Sequence, residues 1–155
     1  MRRLSVICAL LALTLPGASA ARSGAPGDGT LSVKNGIGKL SIQARGGVIG
    51  HFTDGVLTVK DPNPDDGISE VVTGAERTHV VNEFVTKYSG HDVSFRYIGG
   101  RFAITLVAGG INLSAIGKGS VQLVGDDGTF SLNSSTPQPI TDVLQVFPLG
   151  ASTTG

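Results

Sequence analysis

The residues best suited to acid–base work at neutral pH are three histidines, His51, His79 and His91. They are dispersed along the chain, so any triad would have to assemble in space. No Gly-x-Ser-x-Gly elbow and no His-Glu-x-x-His helix accompanies them. The expectation is exposed or loop histidines and no catalytic residue. His91-Asp92, beside a turn, points to local hydrogen bonding. Asp61, Asn63 and Asp65 set oxygen ligands at alternate positions, as a calcium loop does. Gly67 comes one place later than an EF-hand loop needs, the twelfth position of that frame is Val72, and Pro62 and Pro64 stiffen the segment. A solvated turn is the default. No metal or cofactor is expected, and Asp61, Asn63 and Asp65 remain the one calcium-loop candidate.

Two glycine patterns resemble phosphate-binding loops and fail on their own terms. Gly36-Ile37-Gly38-Lys39-Leu40-Ser41 lacks the third glycine of a dinucleotide fingerprint and has no βαβ setting. Gly117-Lys118-Gly119-Ser120 lacks the upstream glycine of a phosphate loop, because position 112 is Asn. A structural turn explains it better. Arg96 and Arg101 bracket Gly99-Gly100, with Tyr97 between them. Two cations beside an aromatic ring could hold an acidic sugar or a surface polymer. The competing reading is the polar face of an antiparallel sheet.

The elements that must carry these residues follow a targeting segment. Arg2 and Arg3 precede the apolar run Leu4 to Leu15, Pro16-Gly17 breaks it, and Ala18-Ser19-Ala20 forms an A-x-A site. This predicts a signal peptide over 1–20. The remainder has ten basic and twelve acidic residues and no basic tract, so nucleic acid is not expected as a partner. No second apolar run could span a membrane as a helix. Cys8 is the single cysteine and lies within the signal segment, so no disulfide is expected. Export without disulfides suggests a secreted, periplasmic or cell-envelope protein of bacterial origin.

Beyond a flexible leader over 21–29, short alternating runs separated by glycine turns predict one all-β domain over 30–149, with 150–155 frayed. Asn35-Gly36, Gly46-Gly47, Asp54-Gly55, Gly99-Gly100 and Gly109-Gly110 read as turns, those at 35 and 54 as hairpin signals and Gly99-Gly100 as closing a hairpin, and the four runs from Thr30 to Lys60 form a meander. Asp61 to Gly67 is a surface loop. Thr78 to Tyr88 carries both helical spacing and strand-forming residues, and is read as strand. Phe95, Tyr97, Phe102, Ile104 and Leu106 should be buried, and Arg96 and Arg101 should face out. Residues 40–59 resemble 113–132 at an offset of 73, which suggests a duplicated three-strand unit. The expected fold is an antiparallel β-sandwich or small β-barrel. A β-solenoid is the alternative, and it lacks a period of roughly 20–30 residues.

The functional expectation is a non-enzymatic binding or structural module of the envelope or extracellular space. It would contact a polymer, a matrix component or a second copy of itself. The alternative is a secreted hydrolase or transferase assembled from dispersed residues, to be judged by the surroundings of the three histidines.

Overall fold

The computed structural model describes residues 27–66, 68 and 70–150. The signal segment, most of the leader and all but the first residue of the C-terminal stretch lie outside them. The described residues form strands β1 (Gly29–Lys60), β2 (Val71–Thr73), β3 (Arg77–Asn82), β4 (Val85–Leu132), β5 (Gln138–Pro139) and β6 (Gln145–Leu149), with one 3-10 turn, Pro64–Asp66. The class is all-β and antiparallel, as expected.

Two very long strands dominate, and they do not fold back on themselves. β1 is bonded on both edges to β4. Leu31 faces Ala115 on one side and Leu132, further along the same strand, on the other. Leu106 in turn lies between Leu40 and Leu57, and the step from Leu40 to Leu57 equals that from Ala115 to Leu132. The two arms therefore wind around each other in opposite directions, and that common step is one coil. Each coil of one arm is separated from its next coil by a coil of the other.

The wound ribbon is folded along two rows of small residues. One row runs Gly29, Gly117, Gly46; the other runs Gly125, Gly38, Ala108, Gly55, Gly90. At the first, glycine is required. Gly46 and Gly117 face each other with φ of 151° and 148°. A Cβ on Gly46 would strike the Ile116 carbonyl, and one on Gly117 the Arg45 carbonyl. Between the two creases lie two layers. In the first, segments around residues 30–34, 47–52, 93–98, 111–116 and 129–132 run side by side, with β2 and β5 at the edges. In the second, residues 39–45, 56–60, 85–89, 101–107 and 118–124 do so, with β3 and β6 outermost. The sheet is not closed into a barrel.

The meander is therefore corrected. Residues 30–34 and 39–44 each have both edges occupied by β4, so they cannot pair with one another. The same holds on both sides of Gly46-Gly47 and for the segments that Gly109-Gly110 separates. Across Gly99-Gly100, residues 94–96 lie between β1 and β2, and residues 103–107 between two coils of β1, so this too is no hairpin. A corner and a hairpin turn both use residues that tolerate positive φ, as Asn35 does at 51°. The sequence lacks the period of roughly 20–30 residues that the solenoid alternative would show. The pairing does have a period, the step from Leu40 to Leu57, carried by two antiparallel arms. Residues 40–59 and 113–132, alike at an offset of 73, do not form separate halves, because each crosses both layers. Thr78 to Tyr88 is strand as read, but a turn at 83–84 splits it between β3 and β4.

Inward alternation builds one core from both layers. Phe95, Tyr97, Phe102, Ile104 and Leu106 are buried, and Arg96 and Arg101 are exposed, as expected. Leu40, Ile42, Leu57, Val93 and Val121 are fully enclosed with them. Tyr97 and Phe102 meet across the first crease at 5.1 Å between ring centroids, and Phe130 stacks on Phe147 of the facing layer at 5.0 Å.

Candidate functional site

The winding brings titratable side chains together at the two creases and leaves a polar face between them. At the Gly55 crease, Asp54 and His91 are register partners, and Glu76 enters from the segment before β3. His91 Nδ1 lies 2.9 Å from Glu76 Oε1, and its Nε2 lies 3.4 Å from Asp54 Oδ1. The Glu76 hydrogen bond, with the Asp54 charge behind it, raises the His91 pKa above the ordinary value. The same bond lowers that of Glu76. Carboxylates facing both ring nitrogens favour the protonated form of the imidazole. The partners of His91 are remote in sequence, so the expected local bond to Asp92 is not what holds it.

Asp92 adopts a φ of 53°, which a short polar side chain tolerates. It lies 3.6 Å from Nε2 of His51, which is 40% exposed. His79 is exposed on β3. The histidines are thus partnered in two cases of three and solvent-facing throughout. None of the three is buried against a carboxylate.

His51 also lines a recess of about 670 Å³ on the outer face of the first layer. Ser32, Ser114, Ile49, Arg96 and Val71 form one row across five neighbouring segments, and Asn112, His51, Ser94 and Thr73 a second beside it.

At the Gly46 crease the charge is of one sign. Lys118, Arg45 and Arg101 are successive register partners, so three cations stand in line on adjacent strands. Lys60 shares their recess, which measures about 500 Å³. All four are exposed, and among the described residues none of their side chains has an ion-pair or hydrogen-bond partner. Four of the nine basic side chains among the described residues line this one recess, so the near-neutral total hides a local excess.

The structure separates the two arginines that the sequence put together. Arg96 lies on the polar face of the first layer, and Arg101 at the crease on the second. Tyr97 is buried and cannot offer its ring to a sugar. Its hydroxyl donates to the Arg101 carbonyl at 3.3 Å, and burial together with the Asp61 charge raises its pKa. Tyr88 donates to Glu70 at 2.8 Å, and burial and that carboxylate push it up to about 12. Sequence reading missed Arg45, Lys60 and Lys118 as a group. A signal was present: Arg45-Gly46, Gly100-Arg101 and Gly117-Lys118 each set a cation against a corner glycine.

In the calcium-loop candidate, the Asp61 carboxylate accepts from the Asn63 backbone N–H at 2.9 Å, closing an Asx turn. Asp65 is exposed in the 3-10 turn. Among the described residues, no three His, Cys, Asp or Glu side chains gather as a metal site would require.

No family model matches this chain, and neither curated proteins nor solved structures provide a match.

Proposed function

We propose that this chain is a non-catalytic binding module of the cell envelope or extracellular space, and that it takes an extended polymer across the outer face of the first layer. One observation carries the reading: the open recess crosses five neighbouring segments and sets the short polar side chains of Ser32, Thr73, Ser94, Asn112 and Ser114 around exposed Ile49 and Val71. Strands stand about 4.8 Å apart, so a chain laid across them meets hydrogen-bonding groups at regular steps. Ile49 is 58% exposed and offers an apolar contact at the centre. Retention of the full chain on insoluble neutral polysaccharides tests this. Binding to at least one, lost in Ser114→Arg, supports it. Failure to bind any of them sinks it.

A second reading draws on His51, which sits in that recess with Asp92 at 3.6 Å and Ser94 as its cross-strand neighbour. A hydrolase working there would release soluble product, and His51→Ala would abolish the release.

A further inference from the structure

We infer that the row Lys118, Arg45, Arg101, with Lys60 beside it, is a binding site for an acidic polysaccharide, separate from the polar face of the first layer. The argument starts from what the row costs. Like charges directly opposite on neighbouring strands are destabilising. Here two such pairs share Arg45, with no acidic side chain among the described residues paired to any member. Charges that protect a sheet edge would explain a lone lysine on an outer strand. Arg45 is not at an edge, because β4 is bonded to it on both sides. The repulsion is therefore built into the middle of the layer, and an anion is what relieves it.

Geometry narrows the anion. Arg45, Arg101 and Lys118 each neighbour a corner glycine in sequence, and each points outward from a backbone bonded to its neighbours. The row spans two strand spacings, roughly 10 Å. Two guanidinium forks favour bidentate oxyanions such as carboxylate or sulfate, and the lysines act as point charges. A linear chain with repeated anionic groups matches a row; a single small anion satisfies one fork. Nucleic acid fits less well, because the aromatic residue of the recess, Phe102, is buried at 3% exposure and offers no ring for a base to stack on.

Affinity of the full chain for polygalacturonate, dextran sulfate and neutral dextran, read by calorimetric titration at several salt concentrations, tests the site. The expected result is binding to an acidic polymer, weakening as salt rises, with at least a tenfold loss in Arg45→Glu. The melting temperature of that variant should be unchanged or higher, because the repulsion is gone. Arg45→Gln is the second variant, with a smaller loss, should the glutamate variant fail to fold. No binding to either acidic polymer overturns the inference. So does affinity unchanged by both variants, or equal affinity for a single-stranded oligonucleotide of matched charge. The polar face is tested by neutral polymer, so the two readings fail independently.

Discussion

The two creases handle charge in opposite ways. At the Gly55 crease, His91 lies between Glu76 and Asp54, and His51 is answered by Asp92. At the Gly46 crease, four cations share a recess and none is answered among the described residues. Both rows sit on the same kind of backbone corner. The difference is therefore not forced by the fold, and it separates charge used to hold the molecule from charge left available to something outside it.

The largest test of the comparison attacks the corner itself. Gly117→Val drives a Cβ toward the Arg45 carbonyl at a φ of 148°, and should cost at least about 3 kcal/mol. Gly109→Ala, where an added Cβ meets nothing within 4 Å, should stay within about 0.5 kcal/mol. Urea titration of both variants checks this; equal losses would mean the corners are not the tight points of the winding.

Next in size is Arg45→Glu read as stability rather than binding. A carboxylate between Lys118 and Arg101 turns two repulsions into two attractions. It should add up to about 1 kcal/mol at low salt, and less at high salt because the site is exposed. A loss at low salt would contradict the unpaired row.

Beneath the same crease, Tyr97 should report a dry floor. It and Tyr88 are the two tyrosines of the chain, and both are raised, Tyr88 to about 12. Ultraviolet titration should show little phenolate, no more than about a tenth, by about pH 11, one unit past the ordinary value. An ionised tyrosine at pH 10 would mean that water reaches the core there.

The smallest effect belongs to the Gly55 crease. The raised His91 pKa means its contribution is fully present below the unfolded value of 6.5 and fades as pH climbs through the folded value. The lowered Glu76 pKa means its share is present above the unfolded value of 4.5 and fades as pH falls through the folded value. The melting-temperature gap between the wild-type chain and His91→Gln should therefore be widest between those two values. A gap that grows toward alkaline pH would reverse the assignment.

What the sequence made legible was the alternation, because burial acts on each residue where it stands. Phe95, Tyr97, Phe102, Ile104 and Leu106 could be placed inward without knowing their partners. Pairing was not legible. Asp54-Gly55 satisfies a hairpin and a corner equally, and only the occupancy of both strand edges separates them. The coil period does leave a trace within β1, where Leu40-Ser41-Ile42 returns as Leu57-Thr58-Val59 one coil later. The second arm runs the other way, so no shift of the sequence against itself aligns the two arms in register. The cationic row was hidden for the same reason. Arg45 and Lys118 are far apart in the chain and become neighbours through register alone.

The shared coil also sets how such a molecule could change length. In a solenoid wound from one strand, a single insertion adds a coil. Here each coil lies between two coils of the other arm, so an insertion in β1 alone would strand an unmatched edge. A longer relative would need a full coil added to each arm at the same height. The place that accepts both at once is the reversal between Lys60 and Val85, where β1 ends and β4 begins. Gly150 lies against Gly27 and Gly29 at the opposite pole, so that end would remain unaltered while the body lengthened away from it.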